Sequence, residues 1–568
     1  MIMEAYSETR VDLVEDVKRT VLDYISLPSD LKALCLTSRS WRDVTTKCLY
    51  TNIVLDIRFR DGQLSTFDRC LKHGALEYLQ HARTLTLLDT SKHNPCSTVR
   101  GDDVVPEGSV WSSRNEMDEL LLHILHQFPR HILRTFGYIS KVKISTACLD
   151  LINERQQSIQ NMHVTKCDPR QLIAPSRHCI TAGFHDDELK TRGYLQLAQA
   201  LPPLDFLHLI FWSGWSSAVW EYWDDPHPHS LIGDRKILAR QLTLTGYMPP
   251  SFTSKIGLHF DWSIVTSLTL LQSYVWPPDQ LAQITELQHL THFHLNTSAA
   301  LQLDSAESLY QLFERNKSLQ SVHLGLSQLA TLSLSWFPEK KDRIPGRVLH
   351  KAYLWPLRHS LKSLSLHDPM LYRDYRDMHS SPGIFSYGRF KSICGNFPHL
   401  QQLALQVPST YAKLSEHGVP RTYVKCIRQL KDLRILHFHQ QRLAIVPQSN
   451  TSGKYTMASK IHAFANSLFQ WSHTKCPSLR VFIWGMTGKP DEAHEEMVRD
   501  TLREGQTLER VPQFLFVKRQ RKLDCGNTQV YAATVTPSQL REEVPELDLL
   551  SYDAGDPELD LIAQRTGW

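Results

Sequence analysis

The chain has 568 residues, of which 42% are hydrophobic and 21% are charged, a composition typical of globular proteins. Its formal net charge of +4 is small for this length, so bulk electrostatics give no reason to expect nucleic acid as a partner. The eleven cysteines include no C-x-x-C pair, which is typical of free thiols in a reducing compartment. The sequence has neither an apolar leader nor an apolar run of about 20 residues. We therefore expect a soluble protein of the cytoplasm and/or nucleus that binds neither nucleic acid nor membrane.

The first predicted element is an amphipathic helix. Apolar residues recur at intervals of three and four, and they are Leu13, Val17, Val21, Leu22 and Ile25. Pro28 disfavours a helical residue before it and therefore ends this helix.

Two further short helices are predicted before residue 50. Ser29 is placed to cap the second helix, which carries Leu31 and Leu34. Ser38 or Ser40 opens the third helix, which has Trp41 on its apolar side. About forty residues cannot bury all of these apolar side chains among themselves, so the surplus faces either the following domain or a partner.

These residues resemble an F-box. The resemblance rests on Leu13-Val14-x-Asp16-Val17, on Val21-Leu22-x-Tyr24-Ile25 and on Asp30-Leu31-x-x-Leu34-x-Leu36-x-Ser38-Arg39-x-Trp41-Arg42. Val14 departs from the family, which prefers proline there. The resemblance implies a non-catalytic docking surface for the Skp adaptor and, through it, for cullin. The implied adaptor-binding residues are Leu13, Val17, Val21, Leu22, Leu31, Leu34 and Trp41. The alternative is that the three helices only cap the domain that follows.

A second pattern, L-x-x-L-x-L with other apolar residues substituted, recurs after residue 50. Its middle apolar positions from 207 onward are Leu207, Leu242, Leu268, Phe293, Val322, Leu364, Leu403, Leu436 and Phe482. Segments with helical periodicity lie between several copies. A short apolar strand followed by a helix hides its apolar face only when copies stack side by side. We therefore predict that these residues are buried on successive, mostly parallel strands.

The pattern resembles irregular leucine-rich repeats, although the Asn or Cys that usually follows L-x-L is mostly missing and Asn296 is the nearest candidate. The predicted fold class is α/β, with a three-helix F-box followed by a solenoid with a parallel sheet on its concave side and helices on its convex side. The predicted domains are 11–50 (F-box-like), 51–507 (solenoid) and 508–568 (closing strands and an acidic tail). An F-box followed by such repeats resembles the substrate receptors of Skp–cullin–F-box ubiquitin ligases.

The residue between the last two apolar positions of each copy points to the opposite face of the sheet. Read along the array, this face is polar and rich in histidine. The predicted substrate-binding residues on it are Thr269, His294, His323, Ser365 and His437. We expect His294, His323 and His437 to be partly exposed and overhung by an insertion that also binds substrate, through Trp212, Trp215, Trp220 and Trp223. The alternatives are a face covered by the chain's own loops and a face that is merely solvated.

The sequence predicts neither a catalytic site nor a metal site. The pairs His292/His294 and His437/His439 each share a face, but no Cys or acidic residue stands at a ligand-like offset, so no metal is expected. Motifs of phosphate-binding loops, nucleophile elbows and zinc proteases are absent from the sequence. The sequence therefore favours a substrate receptor with no cofactor, whose partners are the Skp adaptor and an unknown protein substrate. The alternative is a leucine-rich-repeat scaffold with no link to a ligase.

Overall fold

The structure is a computed structural model of the full chain. It describes residues 14–23, 28–57, 63–88, 114–140, 143–164, 172, 174, 176–185, 202–212, 236–246, 260–271, 281, 284–297, 303–326, 354–367, 387–406, 425–439, 443–447, 453–485, 506–510, 513–522, 528–535, 539–540 and 543–544. The chain forms two compact units, Met1–Phe184 and His185–Trp568. Helices alternate with mostly parallel strands in both units, so the fold class is α/β, as predicted, and it is compatible with a solenoid.

The first unit begins with three helices. Its described helices are α1 (Glu15–Asp23), α2 (Pro28–Cys35), α3 (Arg39–Thr51), α4 (Gln63–Lys72), α5 (Arg114–Gln127) and α6 (Thr146–Arg155), with a 3-10 helix at Ala75–His81. Its strands are β1 (Asn52–Asp56), β2 (Thr84–Leu88), β3 (Thr135–Ile139), β4 (Asn161–Val164) and β5 (Cys179–His185). The five strands pair in parallel and in chain order. Weaker copies of the L-x-x-L-x-L pattern at Ala82/Leu85/Leu87, Leu133/Phe136/Tyr138 and Ile159/Met162/Val164 coincide with β2, β3 and β4, whereas no copy predicted β1 or β5.

The second unit continues the alternation. Its strands are β6 (Leu204–Trp212), β7 (Ala239–Gly246), β8 (Ser267–Leu271), β9 (His292–Thr297), β10 (Ser321–Leu326), β11 (Ser363–His367), β12 (Gln402–Gln406), β13 (Ile435–His439), β14 (Leu443–Pro447), β15 (Val481–Trp484), β16 (Gln506–Arg510), β17 (Phe514–Lys522) and β18 (Thr528–Thr534). Its described helices are α7 (Leu303–Arg315), α8 (Tyr387–Asn396) and α9 (Gly453–Lys475), with 3-10 helices at Trp262–Ile264 and Trp355–Leu357.

The predicted row of apolar residues lies in register across the second unit. Leu207 pairs with Leu242, and each later member pairs with the next through Phe482. All nine side chains are buried, which confirms the prediction. The row faces the helices, because the ring of Phe293 packs edge to face on Phe313 of α7 with 5.9 Å between centroids.

The last strands depart from the parallel order. β15 pairs antiparallel with β17, and β17 pairs antiparallel with β18. The sequence predicted closing strands at 514–517 and 529–534, and both exist in longer form. β14 and β16 form a separate antiparallel pair. The sequence pattern did not predict this pair, because β14 falls in a stretch that it assigned to an insertion.

Polar side chains tie successive strand–helix units together at a position that the sequence analysis missed. Asn316 lies six residues before Val322, the middle apolar residue of β10. Its Nδ2 donates to the Leu287 carbonyl at 2.9 Å, and its side-chain oxygen accepts from the Leu290 amide at 3.0 Å. Gln156 accepts from the Leu133 amide at 3.1 Å in the equivalent turn of the first unit. The Cys476 thiol donates to the Leu430 carbonyl at 3.2 Å. These bonds satisfy backbone groups in the preceding turn that would otherwise be buried without partners.

Candidate functional site

Helices α1 to α3 share a small core. Leu22 of α1 is 5% exposed, and Val44 and Thr45 of α3 are equally well buried. Ser38 caps α3, because its hydroxyl accepts from the Trp41 amide at 3.2 Å. Of the two capping candidates in the sequence, Ser38 is therefore the correct one, and it sets where α3 begins.

An apolar stripe on α1 is left open to solvent. Val14, Val17 and Val21 are 69%, 46% and 38% exposed, and Leu36, directly after α2, is 81% exposed. Val14 lies directly before α1, and its carbonyl accepts from the Val17 and Lys18 amides. The three valines are spaced three and four residues apart, so they follow one face of the helix. Among the described residues, the large apolar side chains with high exposure are mostly these four; the others are Leu76 and Trp355. We call Val14, Val17, Val21 and Leu36 the open stripe.

The other predicted adaptor-binding residues lie around this stripe in different environments. Leu31, Leu34 and Trp41 are half-buried, so each offers part of its surface. Leu22 faces the core, so it supports the surface and does not form it. Leu13 lies outside the described residues.

The sequence analysis missed the buried cation beneath the stripe. Lys18 is 2% exposed, its ammonium contacts the Ser40 hydroxyl of α3, and it lies 5.7 Å from the centre of the Trp41 ring. In the sequence this lysine interrupts the apolar pattern of α1 directly after Val17, yet its stem and head group join α1 to α3. This contact fixes the orientation of α1, so Val17 and Val21 point away from the shared core.

The three helices are held to the rest of the first unit through α3. The rings of Tyr50 and Tyr78 lie 5.4 Å apart, which connects the end of α3 to the 3-10 helix at Ala75–His81. Burial raises the pKa of the Tyr50 hydroxyl above its usual value. The contact involves α3 and not α1, whose Val17 and Val21 remain exposed.

The predicted substrate-binding histidines lie where expected but are not exposed. His294 and His323 pair directly on β9 and β10, with 4.1 Å between ring centroids, and His437 lies on β13. All three are at most 1% exposed, and Ser365 is fully buried, whereas Thr269 is half-buried. The prediction of partly exposed histidines is therefore wrong. Trp215, Trp220 and Trp223 and the side chain of Trp212 lie outside the described residues.

Contacts within the sheet explain the burial of His437. Its Nε2 donates to the Gly485 carbonyl at 2.6 Å, and its ring lies 4.1 Å from that of His439. Burial lowers the pKa of His437 from 6.5 to about 4, although the bond to Gly485 acts in the opposite direction. His439 in turn bonds to the Ser365 hydroxyl at 3.1 Å. A neutral imidazole with such partners can be buried at small cost, so a histidine-rich strand face does not by itself indicate an open face.

A segment near the end of the sequence covers the same face beside His437. Leu540 and Val544 are buried in one apolar cluster with Ile435, Val481 and Val517. These three strand residues lie on the face opposite the helices. The residues that cover this face are therefore about one hundred positions away from β13 in the sequence.

Neither a scan against models of known protein families nor a search of curated proteins finds a match for this chain. Within the ranges that the structure describes, no helix has the length and apolar content needed to span a membrane. The same ranges hold no cluster of three or more His, Cys, Asp or Glu arranged as metal ligands.

Proposed function

We propose that this chain is a substrate receptor of a Skp–cullin–F-box ubiquitin ligase, in which α1, α2 and α3 bind the Skp adaptor. The observation that carries the proposal is the open stripe. A helical cap for the strands that follow would bury its apolar face against them, whereas Val17 and Val21 remain exposed. Burying a fully exposed valine side chain stabilises a complex by about 1.5–3 kcal/mol, so covering the exposed part of these valines would favour binding of a protein partner.

The strands after the three helices support the proposed role as a substrate receptor. Their buried apolar row in parallel register, interrupted by turns of variable length, favours the irregular leucine-rich repeats of such receptors. The repeats would hold a protein target close to the ubiquitin donor and raise its local concentration. The buried histidines do not face solvent, so we do not assign target binding to His294, His323 or His437.

The proposal is tested by co-expression of the chain with the Skp adaptor and capture of the complex. Val17→Asp combined with Val21→Asp places two charges in the apolar contact, and an unpaired buried charge costs several kcal/mol. We expect this variant to lose the adaptor while its circular dichroism and melting temperature match the unmodified chain.

The control is Leu76→Asp, which adds one such charge at an exposed leucine of the same unit. It should bind the adaptor normally. Undiminished capture by the double variant would contradict the proposed docking face. A chain that folds but never captures the adaptor would favour the alternative of a repeat scaffold with no link to a ligase.

A further inference from the structure

Part of the second unit has a surplus of basic residues within the described ranges. Its described residues between 354 and 535 contain seventeen Lys and Arg but two acidic residues, Asp432 and Glu509, whereas the whole chain has a formal charge of +4. Opposite charge must therefore be concentrated elsewhere in the sequence. One such place is residues 545–568, which contain six acidic residues and one basic residue, Arg565.

Backbone hydrogen bonds align part of this positive charge in a row. The Arg434 amide donates to the Gln401 carbonyl, the Arg480 amide to the Arg434 carbonyl, and the Lys518 amide to the Arg480 carbonyl, all within 2.7–2.9 Å. The Gln401 amide donates to the carbonyl of Lys362 at 2.7 Å, which extends the row by another strand. Neighbouring strands lie about 4.8 Å apart, so these five positions span about 19 Å. We call Lys362, Gln401, Arg434, Arg480 and Lys518 the basic row.

The acidic part of the sequence already begins beside this row. Val544 is buried in one apolar cluster with Ile435, Val481 and Val517, each of which is the chain neighbour of a cation in the row. Glu543 forms an ion pair with Arg519, the residue after Lys518. The chain therefore leaves Val544 at the basic row, and the next six residues reach about 20 Å when extended, which is enough to follow the row.

We propose that the basic row is a binding surface for an acidic peptide segment and that residues 545–568 of this chain are its occupant. This segment begins Pro-Glu-Leu-Asp-Leu-Leu, so acidic residues alternate with leucines. Carboxylates suit the cationic heads of the row, of which Lys518 also donates to the Pro477 carbonyl at 2.6 Å and Lys362 to the Gln320 side chain at 3.0 Å. Leucines suit the exposed Trp355, which stacks on Arg358 at 4.3 Å just before β11. The proposal is independent of adaptor binding by the first three helices. When occupied, the row would be closed to any acidic target.

The test uses two proteins, the full chain and a chain that stops after Val544, which retains Leu540, Glu543 and Val544. The probe is a fluorescent synthetic peptide of residues 545–568. Its binding is measured by fluorescence anisotropy at 50 mM and 300 mM NaCl. A tethered segment has an effective concentration of roughly millimolar and competes with the free peptide. We therefore expect the shortened chain to bind the peptide at least tenfold more tightly than the full chain does, with weaker binding at high salt.

Two variants in the row and one control variant, all made in the shortened chain, locate the site. Arg434→Glu with Arg480→Glu should weaken peptide binding at least tenfold, and Lys362→Glu alone should weaken it less. Lys391→Glu with Lys425→Glu, at exposed helical positions, is the matched control and should retain at least a third of the affinity. A peptide in which Gln and Asn replace the acidic residues tests the same contact without altering the protein, and it should not bind.

Several results would overturn the proposal. They are equal peptide affinity of the shortened and full chains, no binding to the shortened chain at 50 mM NaCl, or equal losses in the row variant and its control. Tighter binding of a DNA duplex than of the peptide by the shortened chain would assign the row to nucleic acid and would also overturn it.

Discussion

The Nε2 atom of His437 donates a hydrogen bond to the carbonyl oxygen of Gly485, with 2.6 Å between the two atoms. Gly485 has a φ of 97°, a left-handed backbone conformation that residues other than glycine rarely adopt. Its amide donates to the Phe438 carbonyl at 3.0 Å. One glycine thus binds both the ring and the backbone of β13 as the chain leaves β15.

The first prediction concerns pH. Burial holds the pKa of His437 at about 4, below its unfolded-state value of 6.5, so the unfolded chain takes up the proton first. The stability that the neutral ring contributes is present above about pH 6.5 and is lost as the pH falls toward 4. One pKa unit corresponds to about 1.4 kcal/mol, so the loss is about 3 kcal/mol at most.

His437→Gln provides the control for this effect, because its amide can still donate to Gly485 but does not titrate. Urea unfolding of the second unit at pH 7 and pH 4.5 should show a smaller pH-dependent loss for the variant than for the unmodified chain. Equal losses in the two proteins would show that carboxylates, and not His437, set the acid sensitivity.

The second prediction concerns the bonds between turns. Asn316→Ala leaves the Leu290 amide and the Leu287 carbonyl buried without their partner, which should lower the free energy of unfolding by about 2–4 kcal/mol. Asn396 also stands at a helix end, but its side-chain amide donates to the carbonyl at 2.6 Å and to the hydroxyl at 3.4 Å of Ser392 in the same helix. Asn396→Ala should cost less than about 1 kcal/mol. Urea midpoints and amide exchange at Leu290 measure the difference, and similar losses in both variants would refute the role of Asn316.

The third prediction concerns thiol reactivity. Burial raises the pKa of Cys148 and of Cys476 to about 11, so few of these thiols are ionised near neutrality. Cys70 is exposed. Because the thiolate is the reactive form, iodoacetamide at pH 8 should label Cys70 in the native protein and leave Cys148 and Cys476 intact. Peptide mapping by mass spectrometry checks this, and labelling of Cys476 as fast as Cys70 would contradict its burial.

The buried row of strands was predictable because its signal is local. The alternation in L-x-L is itself the geometry of a strand, and its recurrence requires neighbouring copies, so the sequence alone places Leu364 and Leu403 on buried strands. Exposure on the other face was not predictable, because it depends on partners that are distant in sequence. Leu540 packs in the same apolar cluster as Ile435. The ring of His439 on β13 bonds to Ser365 on β11, two strands away.

The open stripe was only partly predictable from the sequence. The periodicity of α1 predicted an apolar face but did not separate Val17, which is open, from Leu22, which faces α3. That division is made by Lys18, whose polar character gave no sign that it would be buried on Trp41. Likewise, a formal net charge of +4 concealed the basic row, because net charge carries no information about where the charges lie.

The fourth prediction tests the central proposal, that the open stripe binds the Skp adaptor. Isothermal titration calorimetry of purified adaptor into the full chain, between 15 and 35 °C, measures both the affinity and the heat-capacity change. We expect a one-to-one complex with a negative heat-capacity change, the signature of apolar burial, and no measurable heat of binding when Val17→Asp and Val21→Asp are combined. Absence of binding by the unmodified chain, or unchanged binding by that variant, would contradict the account.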